Sequence, residues 1–328
     1  ANLPQGRDWH GPSFKQPKVK AAFEAINPLA LRSIQLRKSF HLSQRPTKAM
    51  LYVSALGHGE VTLNGNRVGD AQFEPLWSDY DKTVYYSAYD LTGQLKPGEQ
   101  VLGVLLGNGF YNSVGNRYRK LWVSFGPPTL FLQLHLTYAD GSQSIIRSDE
   151  SWHYALSPIT FNDIFGGEDY DATLEQPGWD RPGFVPDSCW QPVVIQEAPK
   201  GQLTPSLAPP VKVMDNYPVQ QLKRIKHGVY LLDMGQNLSG FPAIRVKGPK
   251  GAVVKLVVGE LLSGDTAVSQ KRSGGPLFFR YTPHGGGEAS RQPRFSSFRY
   301  SLFLPEHPSY SQLPGPQNNS GLLYTPLL

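Results

Sequence analysis

Cysteine is nearly absent from this 328-residue chain: Cys189 is its one example, so neither an intramolecular disulfide framework nor a multi-cysteine metal site can form. Its neighbours, Asp187, Ser188 and Trp190, offer no base, and it reads as a buried structural thiol rather than a nucleophile. Charge is sparse at 18% of residues. The net +6 comes from 32 Lys+Arg against 26 Asp+Glu, but the basic residues are scattered. Their densest groups, Lys15 to Lys20 and Arg117 to Lys120, lack the roughly five to eight consecutive charges of a nucleic-acid patch. Nucleic acid is therefore not expected as a partner. No apolar run reaches the ~20 residues of a membrane-spanning helix. No segment sustains a 3.6-residue period over the ~10 residues that a substantial helix needs. Gly-x-Ser-x-Gly is missing, and the Gly285-Gly286-Gly287-Glu288 run lacks the Gly-Lys-Ser/Thr of a phosphate loop.

What the chain has instead is turns and rings: 33 Gly, 29 Pro, 16 Tyr, 16 Phe and 6 Trp. That mixture favours many short strands joined by tight turns. Residues 49–55 and 60–63 read as strands, and the second runs into Asn64-Gly65, whose tolerance of positive φ suits a type I′ hairpin turn. Leu130 to Tyr138 alternates, with Leu130, Leu132, Leu134 and Leu136 on one face and Gln133, His135 and Thr137 on the other. It ends at Asp140-Gly141, a second hairpin signal. Pro199, Pro205, Pro209 and Pro210 then break the strand pattern, which resumes at Val229 to Asp233 and continues through Phe241 to Val246, Ala252 to Val258, Leu277 to Tyr281 and Phe295 to Leu304. The prediction is an all-β chain of two β-sandwiches, jelly-roll-like and in series, with few short helices. An irregular segment covers 1–35, the first sandwich 36–197, a Pro-rich linker 198–212, the second sandwich 213–305, and an irregular tail 306–328.

Particular residues go further. Leu63-Asn64-Gly65-Asn66-Arg67-Val68-Gly69-Asp70 is followed in order by Trp77-Ser78-Asp79-Tyr80-Asp81-Lys82, Tyr89-Asp90-Leu91-Thr92, Leu95-Lys96-Pro97-Gly98-Glu99 and Gly107-Asn108-Gly109-Phe110-Tyr111. Gly167-Glu168-Asp169-Tyr170-Asp171-Ala172 and Gly178-Trp179-Asp180 come next, then Asp233 to Phe241, Val246 to Pro249, Pro293-Arg294-Phe295 and Phe298-Arg299-Tyr300. This succession, across roughly residues 35 to 304, resembles the β domains that precede the catalytic barrel of bacterial α-L-rhamnosidases.

In that family a helical (α/α) barrel, C-terminal to these sandwiches, carries the acidic pair that glycoside hydrolysis requires. The chain stops at Leu328, where the barrel would begin, so the resemblance implies a part that does not hydrolyse unaided. It implies a rhamnose-containing oligo- or polysaccharide as partner and a missing catalytic domain, or self-association, at the C-terminal end. An exported, periplasmic or extracellular, bacterial protein is expected; Ala1-Asn2-Leu3-Pro4 suits either a mature end after signal cleavage or a chosen boundary.

The resemblance also implies that one sandwich can hold rhamnose, with calcium helping. Asp70, Glu74, Trp77 and Asn108 are then the sugar-binding candidates, with Trp77 as the stacking platform. Glu74, Asp79 and Asn108 are the oxygen donors for calcium. The plain alternative is that Asp79 and Asp81 cap turns while Trp77 packs on the sandwich edge. Phe165 to Asp171 is the most acidic stretch, either a solvated turn or the lining of a sugar cleft or calcium site. A different class of function stays open: a sandwich-only lyase or hydrolase for rhamnose-rich polysaccharide, with Tyr111, Arg117, Tyr118 and Arg119 as its catalytic candidates. A third is support for a barrel, with no ligand at all.

Overall fold

The structure is a computed structural model that describes residues 28–113, 117, 123–271, 276–285, 288–291, 296–305 and 323–325. Tyr118, Arg119, residues 1–27 and most of the tail lie outside the described residues. Among the described residues the longest helical piece is the four-residue 3₁₀ turn Pro28–Leu31, and the all-β expectation holds.

Two sheets, antiparallel but for one edge strand, make the first sandwich. One runs in the order Gln191–Pro192, His153–Leu156, Ile34–Leu42, Gly98–Gly107, His58–Leu63, Asn66–Arg67. The other runs Gln143–Arg147, Thr129–Thr137, Lys48–Leu56, Thr83–Asp90, Gln202–Pro205. Alternation sets which face is buried: Leu132, Leu134 and Leu136 point inward and are fully buried, while Phe131 stays exposed. They meet Leu51, Val53, Leu102, Val104 and Trp152 in one continuous core. Each such side chain contributes about 1.5–3 kcal/mol of transfer free energy. The Trp152 indole avoids a polar penalty by donating to the Arg147 carbonyl at 2.9 Å.

The local turn chemistry is as read. Asn64 and Gly65 have φ of 52° and 80° and join His58–Leu63 to Asn66–Arg67. Asn64 also reaches sideways: its Oδ1 accepts from the Val101 amide at 2.8 Å and its Nδ2 donates to Gln100 Oε1 at 2.9 Å. The hairpin is thereby pinned to the neighbouring strand.

Within the stretch read as a linker, Gln202–Pro205 forms an edge strand that pairs in parallel with Thr83 to Tyr86. Proline is tolerated there because it closes an edge strand and removes no ladder donor from a central one. Cys189 differs from expectation. It is exposed, in a turn where its amide donates to Asp187 Oδ1 at 2.9 Å, and the inward position goes to Trp190.

The third sheet has nine strands. Its order is Ile159–Asp163, Gly167–Asp171, Phe278–Thr282, Val254–Gly259, Ser296–Pro305, Val229–Pro242, Leu323–Thr325, Asp215–Asn216, with Gln221–Lys226 added on Val229–Pro242. Val254, Leu256, Val258 and Phe279 are buried on one face. The ribbon of Ile244–Lys247 and Glu288–Arg291 lies over part of it, with Val246 packed among Ala172, Val254 and Tyr281. The sheet therefore begins with two strands from within residues 159–171, and Gly167–Asp171 pairs in parallel with Phe278–Thr282.

Candidate functional site

The two strand systems meet beside a cleft of about 70 Å³ lined by Ser33, His58, Phe73, Asn162, Asp163 and Glu168. Glycines let its walls approach. A Cβ on Gly109, whose φ is +51°, would stand 2.8 Å from the Gly57 carbonyl carbon, so no side chain fits there.

Behind the cleft runs a chain of amides. Asn162 Oδ1 accepts from the Asn108 amide at 2.7 Å, and its Nδ2 donates to Ser33 Oγ at 2.9 Å and to the Leu31 carbonyl at 3.1 Å. The Asn108 side chain donates to the Asn162 carbonyl at 3.2 Å and accepts from Asn112 Nδ2 at 2.8 Å. Ser124 closes the chain on Asn112 Oδ1 at 2.9 Å. Asp163, also buried, accepts from the Phe165 and Gly166 amides at 2.9 and 2.7 Å and from Ser113 at 3.1 Å. Such a satisfied network is rigid, because breaking one bond strands a buried polar group.

An aromatic row includes Phe110 and Phe165, the residues that follow the cleft-lining Gly109 and Ile164. The Trp77 ring lies 5.3 Å from Phe110, tilted by 35°, and Phe110 meets Phe165 edge-on at 5.7 Å. Trp77 is 50% exposed, so Phe110 backs the ring while much of it faces water. His58 and Phe73, 5.4 Å apart, line the adjoining wall. The structure thus brings together Trp77 and the Phe165 to Asp171 stretch, which are far apart in sequence, through Phe110.

The other sequence candidates are placed as follows. Asn108 is fully buried and its amide is engaged as above, which removes it from solvent and from any surface ligand. Asp70 is at the surface and pairs with Lys212 at 2.9 Å; the lysine hydrogen bond holds its carboxyl below the usual range. Glu74 turns toward the Tyr89 hydroxyl, which donates to its Oε2. Burial and that hydrogen bond push the Tyr89 phenol up. Asp79 pairs with Lys82 at 2.9 Å and accepts from the Asp81 amide at 3.3 Å, the turn-capping role. Glu74, Asp79 and Asn108 thus use their oxygens on different protein partners. Among the described residues no three His, Cys, Asp or Glu side chains converge as a metal site. This donor set does not fit calcium.

The catalytic alternative fares no better geometrically. Tyr111 is buried in contact with Tyr80 and Phe125, and burial pushes its phenol up. Arg117 is buried too. It donates to Asp169 Oδ2 at 2.6 Å and to the Gly166 and Phe278 carbonyls at 3.1 and 2.9 Å, and lies between the Phe161 and Phe278 rings. That is a clasp across the seam between Gly167–Asp171 and Phe278–Thr282, not a group facing substrate.

Comparison with known proteins matches residues 44–215 to the α-L-rhamnosidase N-terminal domain. The chain belongs to the α-L-rhamnosidase family. Residues 223–302 match the concanavalin-like domain of bacterial α-L-rhamnosidases. An α-L-rhamnosidase of Streptomyces avermitilis is 35% identical over 94% of this chain and 31% of its own length. Its crystal structure, in complex with L-rhamnose, superposes with a TM-score of 0.81 at 34% identity, covering 90% of this chain and 28% of that one. The Dictyoglomus thermophilum α-L-rhamnosidase gives 0.80 at 31% identity, over 89% and 32% of the two chains. The chain therefore spans about 31% of the length of the curated α-L-rhamnosidases of Streptomyces avermitilis and Formosa agariphila. Trp77, the amide-chain residues Asn108, Asn112 and Asn162, and the clasp residues Arg117 and Asp169 all fall in the stretch matched by the rhamnosidase N-terminal domain. The parallel partner of the seam, Phe278–Thr282, falls in the second matched stretch.

Proposed function

We propose that this chain is a non-catalytic, carbohydrate-binding portion of an α-L-rhamnosidase-type glycoside hydrolase, acting outside the cytoplasm on L-rhamnose-containing glycans. The observation that carries the reading is the half-exposed Trp77 ring, backed by Phe110, which follows directly on Gly109 in the wall of a cleft of mixed polar and apolar lining. A sugar of this class has an apolar C–H face and, in rhamnose, a methyl group, which suit an aromatic platform; its hydroxyls need fixed polar partners. The cleft has room for one edge of a ring rather than a whole oligosaccharide, so the rest of the glycan lies across Trp77. A sandwich-only lyase has less support, since Tyr111 and Arg117 are buried and engaged with protein groups.

Calorimetric titration with L-rhamnose and rhamnosyl oligosaccharides, in calcium and in chelator, tests the reading, with chromatography of the same samples for released sugar. Saturable heat, intact ligand and no dependence on chelator are expected. Trp77→Ala should bind about tenfold more weakly, matching the ~1.4 kcal/mol of one aromatic contact. Cleaved product would make the chain an enzyme; no heat in any sample would leave it a support for other domains.

A further inference from the structure

A second and larger cavity, of about 670 Å³, opens between the two sheets of the first sandwich. Its lining is mostly apolar. Leu56, Val84, Leu106 and Trp152 form its floor and are buried. Phe131, Val194, Ile195 and Leu203 stand at its lip and are exposed, Val194 at 83% and Ile195 at 62%. Apolar side chains therefore extend along the wall from floor to rim.

Four of the polar side chains on that wall are already engaged. Ser54 donates to the Tyr85 carbonyl at 2.8 Å, Thr129 to the Pro127 carbonyl at 2.9 Å, and Trp152 to the Arg147 carbonyl at 2.9 Å. Ser148 Oγ accepts from the Leu132 amide at 3.0 Å. A sugar placed here would lose its water and gain few partners for its hydroxyls. The one charged lining residue is Asp149, whose carboxylate accepts from the Ser151 amide at 3.0 Å; it opposes an anionic guest. A second protein copy is a poor occupant, since four lip side chains cannot supply the roughly 1,000 Å² of a specific interface. The volume lies within the ~300–1,000 Å³ of small-molecule sites, which are mostly apolar with few polar groups.

We infer that this inter-sheet cavity is a binding site for an uncharged, largely apolar organic molecule, separate from the Trp77 cleft. Entry is past the strap of residues 193–203, and the exposed lip closes over the guest.

Fluorescence titration of the full chain with Nile red, a neutral apolar dye, tests this beside the anionic dye anilinonaphthalenesulfonate. Saturation at about one dye per chain is expected, with Nile red the tighter ligand. Ala198→Trp, which fills the mouth from the exposed strap, should weaken Nile red at least tenfold and leave the dye-free melting temperature unchanged. Leu203→Lys, which charges the lip, should act in the same direction. An absence of saturable signal in the intact chain overturns the inference, because the cavity is then filled by the protein itself. Equal affinity in the parent and both variants overturns it by placing the dye elsewhere, and tighter anionic dye overturns the uncharged class.

Discussion

The first sandwich and the seam that joins it to the nine-stranded sheet are held by different physics. In the sandwich, antiparallel strands bring aliphatic side chains and Trp152 into one dry core. At the seam, two parallel strands separated by more than a hundred residues in sequence are clasped by one buried guanidinium on Asp169, two carbonyls and two rings. A hydrophobic core is non-directional and fails by degrees as volume is removed. A buried ion pair is directional, and removal of one partner leaves a charge without compensation. The seam is thus the more specific joint and the sandwich the deeper reservoir of stability.

That contrast can be broken at several points. Trp152→Ala should cost about 3–5 kcal/mol and, since two strands of the nine-stranded sheet follow directly from the sandwich, destabilise both regions together in urea unfolding. Arg117→Met should cost about 3 kcal/mol, at the low end for a broken buried pair, because Arg280 remains 3.6 Å from Asp169. Its effect should be local: hydrogen exchange accelerates in residues 278–282 while strands such as Thr129–Thr137 stay protected. Equal loss in both regions would refute the distinction. Gly167→Ala sharpens it further. This glycine has φ of +95°, and a Cβ there would lie 2.1 Å from the Phe278 carbonyl oxygen. Backbone strain of about 1–3 kcal/mol and the clash should open the same pairing with the ion pair intact.

Acid should act the other way round. In the first sandwich, hydroxyl and amide donors hold Asp90, Glu99, Asp140 and Asp149 below the usual carboxylate range, led in each case by a Ser or Thr hydroxyl. A depressed folded-state pKa gives stabilisation that is full above the ordinary value near 4 and is lost as pH falls below it. The sandwich should therefore melt progressively lower as pH drops from about 4 toward 2, followed by near-UV circular dichroism of its buried Trp152. The smallest stability effect belongs to Trp77→Ala. It removes a half-exposed ring and should change unfolding by less than about 1 kcal/mol while weakening glycan binding.

Local signals in the sequence carried much of the fold. Asn64-Gly65 dictates its hairpin through its own dihedrals, and the Leu132, Leu134, Leu136 alternation names the buried face. Trp77 lies amid turn residues, with no strand in which to hide, and its ring is half-exposed. Asn108 was misread. Its partner Asn162 lies 54 residues away, and no local pattern shows that a polar side chain will be consumed by a distant amide. Arg117 and Phe278 are 161 residues apart, and a basic residue beside Tyr118 and Arg119 looks in sequence like part of a solvated cluster. The edge strand at Gln202–Pro205 was hidden by Pro205 and the prolines around it, which mark breaks in central strands but not at an edge.

Hydrogen exchange by mass spectrometry, with and without a saturating rhamnosyl oligosaccharide, tests the central claim most directly. Slower exchange is predicted in residues 73–78, 108–110 and 163–168, the segments that build the aromatic row and the cleft, with the rest of the first sandwich unaltered. Protection confined to other segments, or none under conditions where the glycan is bound, would contradict the placement of sugar binding at Trp77.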